Sequence, residues 1–309
     1  MMAPQRHSWR SAVARAPSIS TDQIEAYHRD GYLYRPGFFL PEEVAPACDA
    51  IARDPSIGGR LEHVQVGAEE TKEDHRSGYR LDYIGWFREG DDWLGTCTRL
   101  QSIVEGAAAL IGEPVYHYHS KLARKPNVDS GSLIWHQDYG GWYQDGCVRP
   151  DMLTCVIALS DATEESGCLR FLKGSHKLGR IDRVADEHAY GNINPHRLAG
   201  IQERFEDVPA VMARGDGLFF HGNLVHASGP NVANYDRWLL ELSYNGMSNG
   251  PVFDNQSHHA PVPLNMAPDD ALRTGAFDGI FEHTPIQDLS DRGAEGASIY
   301  YRDGFPPLS

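Results

Sequence analysis

The 309-residue chain has no uninterrupted run of about 18 apolar residues, so no membrane-spanning helix is expected and no membrane partner with it. Residues Met1 to Ser18 carry Arg and Ser but lack the apolar stretch that heads a secretory leader. Cysteine is scarce. Cys48, Cys97, Cys147, Cys155 and Cys168 are odd in number, scattered, and never form a Cys-x-x-Cys pair, which excludes a zinc ribbon or a disulfide framework and suits a reduced, cytoplasmic setting. Positive charge is short too, with 28 Lys and Arg against 43 Asp and Glu and a net charge of −15. With no basic stripe interleaved with aromatics, a nucleic-acid partner is excluded. Finally, no low-complexity linker divides the chain, so a single domain over 19–309 is expected behind a flexible arm at 1–18.

What is present begins with helices. Ser20-Thr21-Asp22-Gln23 offers capping chemistry for a helix that Asp30-Gly31 stops. Leu40-Pro41-Glu42-Glu43 starts a second, with Val44, Ala47, Cys48, Ile51 and Ala52 at helical spacing, and Leu94 to Ile111 reads as one further helix ending at Gly112. From Val115 the period drops to two. Segments 115–124, 132–138, 153–159, 169–172, 213–220 and 238–244 read as short strands parted by Gly, Pro, Asn and Asp. The expected fold is mainly β with flanking helices, built on a jelly-roll or double-stranded β-helix (cupin-like) core over about 115–245. Residues 180–207 read as a long inserted loop, a candidate lid, and 255–309 as a tail that wraps the core.

The informative motif is Leu133-Ile134-Trp135-His136-Gln137-Asp138-Tyr139. In an extended strand residues i and i+2 share a face, so His136 and Asp138 can converge on one metal ion while Gln137 points away. A second histidine, His226, follows the strand-like Gly217 to His221 and precedes Ala227-Ser228-Gly229-Pro230-Asn231. Two neutral nitrogens and one carboxylate oxygen are the ligand set of the non-haem Fe(II) facial triad, which leaves three positions open for chemistry. A 2-oxoglutarate cosubstrate would need a fixed cation for its far carboxylate, and Arg237 offers a planar guanidinium that pairs with two oxygens at once. Ser228, on the His226 face if extended, adds a donor. A strand-edge ion pair of Arg237 with Asp236 or Glu241 is the competing reading.

These motifs carry a resemblance. Asp30-Gly31-Tyr32-Leu33, Pro36-Gly37-Phe38-Phe39, Trp135-His136-Gln137-Asp138, Glu165-Ser166-Gly167-Cys168-Leu169, Lys173-Gly174-Ser175-His176 and His226 to Asn231 with Arg237 stand in the order found in the phytanoyl-CoA dioxygenase family, which the chain resembles. The resemblance implies a catalytic domain using Fe(II), 2-oxoglutarate and O2 and releasing succinate and CO2. It implies His136, Asp138 and His226 as iron ligands and Arg237 with Ser228 as cosubstrate anchors. In halogenating relatives a small residue replaces the carboxylate, so Asp138 points to hydroxylation.

Other histidines compete. His221 is the nearest rival to His226, His176 fits a structural turn, His117 and His119 alternate along one strand as interior histidines, and His258-His259 reads as loop surface. Tyr139 and Trp142 are candidate substrate walls, or else a cap on the barrel core. Lys121 or Lys125 is a candidate for an acidic substrate group or for 2-oxoglutarate. The stretch Tyr118 to Pro126 departs from the Gln-rich pattern of ectoine hydroxylases, so a different free small molecule is the expected substrate, an amino acid or a secondary metabolite. Two alternatives stay open: a cupin-like protein that binds metal or a small molecule without turnover, and a metal enzyme that works without 2-oxoglutarate. The sequence leaves the oligomeric state unassigned.

Overall fold

The structure is a computed structural model that describes residues 18–281, with breaks at 54–56, 58–61, 67–78, 129, 182, 187–188, 254–258 and 278. The arm at 1–17, the charged stretch around 69–76, His258 and the tail beyond 281 lie outside the described residues. No described helix is long and apolar enough to cross a membrane.

Helix α1 (Thr21–Asp30) starts where its cap directs: Ser20 Oγ accepts from the Gln23 N–H and the Gln23 side chain accepts in return from the Ser20 N–H. It stops at Gly31, whose φ of 88° only glycine adopts without strain, and a Cβ there would also meet His176 Nδ1 at 2.5 Å. Helix α2 (Pro41–Arg53) opens on its proline. The single helix expected over 94–111 is two, α3 (Trp93–Thr98) and α4 (Gln101–Ile111). Between them Leu100 is extended and bridges Ala267, with Gln101 N–H donating to Ala267 C=O and Ala267 N–H to Arg99 C=O. A partner from the distant C-terminal segment breaks the helix, and local sequence carries no sign of it.

The strands are β1 (Tyr32–Arg35), β2 (Glu62–Val66), β3 (Tyr79–Trp86), β4 (Val115–Lys125), β5 (Leu133–His136), β6 (Met152–Ala158), β7 (Leu169–Leu172), β8 (Arg183–Asp186), β9 (Ala189–Ile193), β10 (Asp207–Pro209), β11 (Gly217–His221), β12 (His226–Ser228) and β13 (Arg237–Gly246). A seven-stranded sheet runs β1-β11-β6-β13-β4-β3-β2 and a four-stranded sheet runs β10-β7-β12-β5, all pairings antiparallel. Alternation along β6 shows how the layers are made. Leu153, Cys155 and Ile157 face outward and pack with Val44, Leu94, Ile103 and Leu110 of the helices. Val156 and Ala158 face inward and, with Leu239, pack on Leu169 and Phe171 of the smaller sheet. Both faces are covered, which is why β6 reads as an unbroken apolar run rather than an alternating one.

The stretch expected as a long loop carries structure of its own, the hairpin β8–β9 and helix α6 (Pro195–Gln202), capped by the Asn194 side chain. Its short, polar strands lack the periodicity that marks a sheet in sequence. In the C-terminal segment, Leu272 of the short helix α7 (Ala271–Thr274), with Ile280 and Phe281, is buried in the main helix-facing core.

Candidate metal centre and active site

His136 and His226 face each other in register across β5 and β12, and Asp138 joins them in one cluster whose ligand atoms lie within 4.8 Å of one another. The route by which Asp138 arrives differs from the expected one. β5 ends at His136, and Asp138 adopts a helical conformation (φ −60°, ψ −43°) at the head of the one-turn helix α5 (Tyr139–Trp142), where its C=O accepts from the Gly141 N–H at 2.8 Å. The carboxylate reaches the histidines through a turn rather than through i, i+2 strand geometry, with the Asp138 C=O closing the first turn of α5 at once after the strand.

Both imidazoles are fixed in the same way. His136 Nδ1 lies 2.8 Å from the Ile134 C=O and His226 Nδ1 lies 2.9 Å from the Leu224 C=O. A carbonyl only accepts, so each Nδ1 carries the proton and each Nε2 presents a lone pair. These Nε2 atoms stand 3.5 Å and 3.7 Å from the same Asp138 oxygen. Burial, reinforced by His136, pulls His226 down to about 4, so it is neutral at physiological pH. Burial pushes Asp138 upward, but its closeness to His226 and His136 outweighs this and holds it below the usual carboxylate range. Two neutral nitrogens and an ionised carboxylate, deprotonated and aimed at one point, fit a divalent iron of the facial-triad type. Beneath them Gln137 holds the turn. Its amide donates to the Gly179 and Asn223 carbonyls at 2.8 and 2.7 Å and accepts from the Ile181 N–H at 2.7 Å.

Arg237 lies directly across from Lys125 in the β13–β4 register, and both are almost fully buried, at 2% and 1% exposure. Arg237 donates to the Gly167 C=O at 2.7 Å, and Lys125 donates to Ser228 Oγ at 2.6 Å and to the Gly229 C=O. Asp236, the acid weighed as a partner for Arg237, instead accepts from the Asn127 N–H and lies 3.7 Å from Arg124. Burial, followed by the charge of Arg237, lowers Lys125 well below an ordinary lysine. Two buried basic side chains side by side, with a hydroxyl between them and the triad, make a socket for a carboxylate. Gly167 lets the chain come this close: at φ +70° its Cβ would meet the Gly229 oxygen at 2.5 Å and Lys125 Cδ at 2.9 Å. Asn231 ties the return loop, donating to the Lys125 and Tyr235 carbonyls. Alternation puts both candidate lysines, Lys121 and Lys125, on the inner face of β4, and the register that sets Arg237 opposite Lys125 selects Lys125 for this socket.

The remaining candidates fall elsewhere. His221 accepts the Asn223 N–H at Nδ1 and packs against His176 and Tyr27, away from the triad. His176 lies within the 3-10 turn Ser175–Leu178, its Nε2 3.1 Å from the His28 C=O, the structural role expected of it. His117 pairs with Ser120 at 2.7 Å as an interior histidine. His259 is not loop surface: it is buried, stacked 4.0 Å over Tyr118, because the C-terminal segment folds back over the barrel. Tyr139 and Trp142 are buried with Tyr116, Tyr118, Cys147 and Met152, and the Trp142 ring reaches His119 at 5.8 Å. Lys121 lies on the inner face of β4 and, like Glu241 opposite it, keeps part of its surface; Glu241, the other acid weighed as an ion-pair partner of Arg237, stands across from Lys121 instead.

The family model for phytanoyl-CoA dioxygenase (PhyH) matches residues 27–238. The chain is 27% identical to an ectoine dioxygenase of Bordetella bronchiseptica over 248 residues, 76% of this chain and 78% of the relative. It is 28% identical to an L-proline trans-4-hydroxylase of Streptomyces griseoviridis over 177 residues, 52% of this chain and 66% of the relative. Its fold is similar to the crystal structure of EctD from S. alaskensis with 2-oxoglutarate and 5-hydroxyectoine, at a TM-score of 0.63 and 23% identity over 83% of this chain and 90% of that one.

Proposed function

The chain belongs to the phytanoyl-CoA dioxygenase family of Fe(II)- and 2-oxoglutarate-dependent oxygenases, and we propose that it hydroxylates an unactivated C–H bond of a free small-molecule metabolite, releasing succinate and CO2. The observation that carries this reading is the convergence of His136 Nε2, His226 Nε2 and one Asp138 oxygen beside a buried basic socket. His136, Asp138 and His226 would hold an Fe(II) ion there, which would supply O2 activation coupled to 2-oxoglutarate.

The protein's own part is binding and orientation. His136, Asp138 and His226 would hold the metal with their clustered ligand atoms. Arg237, Lys125 and Ser228 receive the far carboxylate of 2-oxoglutarate, the guanidinium by paired hydrogen bonds and Ser228 by its hydroxyl. The barrel walls, Val156, Leu239 and Phe171 among them, keep bulk water from the cosubstrate. O2-dependent succinate release, screened over a metabolite collection with Fe(II) and 2-oxoglutarate, tests the reading; release that no metabolite stimulates would contradict it.

A further inference from the structure

All ten residues of β13 are buried except Glu241. Its neighbours Leu240 and Leu242 are fully covered, and the strand is paired with β6 on one edge and β4 on the other. A strand with partners on both edges exposes a side chain only through a face. Arg237, Leu239, Glu241 and Ser243 share the inner face, identified by Leu239, which packs with Val156, Phe171 and Phe220. The surface that Glu241 keeps therefore opens into the barrel. On the inner face of β4, Lys121 stands directly opposite and also keeps surface, where Ala123 and Lys125 are buried. His136 and Asp138 keep surface on the facing wall. Four partly open polar side chains on the walls of one interior outline a chamber with the triad on one side.

Glu241 is an unusual wall for such a chamber. The register sets it opposite Lys121 on the face it shares with Arg237, and burial raises its carboxyl from the ordinary value. Among the described residues no donor hydrogen bonds to it and no cation lies within ion-pair distance, and Lys121 directs its ammonium over the Tyr83 ring at 5.8 Å. An interior carboxylate without donors costs free energy that a core residue would not. It is also outside the triad cluster, so it is not a fourth metal ligand.

We propose that Glu241 and Lys121 form a paired-charge subsite for a zwitterionic substrate, Glu241 taking a protonated amine and Lys121 a carboxylate of the same small molecule. A carboxylate accepts and never donates, so its complement is donor-rich and positive; a lysine opposite it takes the other sign. Directly opposed cross-strand residues have Cβ atoms about 5 Å apart, which two extended side chains converge on the adjacent ammonium and carboxylate of a free amino acid. The subsite rests on the oxygenase reading of the triad.

The test titrates the standard free amino acids, with their N-acetyl and decarboxylated counterparts, into anaerobic enzyme loaded with Fe(II) and 2-oxoglutarate. It reads the change in the metal-to-ligand absorption band and, in air, succinate release. A free amino acid should perturb the band and stimulate release, its N-acetyl form should be at least about tenfold weaker, and Glu241→Gln should raise its KM by about tenfold or more with the 2-oxoglutarate KM unchanged. In metal-free protein, Glu241→Gln should melt no lower than the parent. No response to any free amino acid, an N-acetyl form as effective, an unchanged KM in Glu241→Gln, or a lowered melting point would each overturn the subsite. A normal band with any of these results leaves the oxygenase reading intact, whereas absence of the band in the parent protein removes both.

Discussion

His136 and His226 oppose each other in register across β5 and β12 with ring centroids 4.1 Å apart, each ring locked by a bond from its Nδ1 to the carbonyl two residues before it. Two positively charged imidazoles would repel at that distance, so the arrangement is built for neutral rings around a cation.

Gln137 lies between two ligands yet faces away from them, holding three backbone groups of the flanking loops. Gln137→Ala strands those groups in a buried setting. The expected result is a loss of roughly 2–4 kcal/mol in unfolding free energy, measured by urea titration, and iron binding weaker by about tenfold.

Arg237→Lys keeps the charge but loses the planar fork, and Lys125→Met removes the neighbouring donor to Ser228. Each is expected to raise the KM for 2-oxoglutarate, by about 30-fold or more for Arg237→Lys, while metal binding to the triad persists. Steady-state kinetics with 2-oxoglutarate varied, alongside calorimetric metal titration, separates the two effects.

Gly167→Ala tests the socket from the backbone side. Its Cβ would collide with the Gly229 and Pro230 carbonyl oxygens, which cannot swing aside as a side chain can. Disturbance of the Gly229 turn displaces the partner of Lys125, so the 2-oxoglutarate KM rises together with a fall in melting temperature.

The metal-free protein is expected to lose stability in acid through its buried neutral histidines. Burial, then the nearby His176 and His28, brings His221 down to about 3. Its folded value lies below the ordinary 6.5, so the unfolded chain binds the proton first. The contribution is complete above about pH 6.5 and is lost as pH falls toward 3, a span of up to roughly 4–5 kcal/mol. His221→Asn, whose side-chain oxygen can replace Nδ1 as acceptor for the Asn223 N–H, should flatten the decline in melting temperature between pH 6 and 4. A profile identical to the parent would contradict this assignment.

The ligand types were legible because a His-x-Asp triplet and a second histidine before Ser-Gly-Pro-Asn are local patterns. The conformation of Asp138 was not, since a strand motif and a strand-to-helix turn share the same three letters. Strand positions from 115 onward followed from period-2 alternation, whereas the split at Leu100 and the burial of His259 depend on a C-terminal segment whose docking leaves no periodic mark. Lys125 and Glu241 show the same limit at the site. Both sit on inner faces readable from alternation, but only the register of β13 on β4 tells that one faces Arg237 and the other Lys121.

Absorption spectroscopy of the purified protein, with Fe(II) and 2-oxoglutarate added under anaerobic conditions, tests the central claim most directly. The expected result is a metal-to-ligand charge-transfer band in the parent protein, kept in His221→Ala and lost in His226→Ala. No band in the parent protein, or a band that survives His226→Ala, would contradict the assignment of His136, Asp138 and His226 as the iron site.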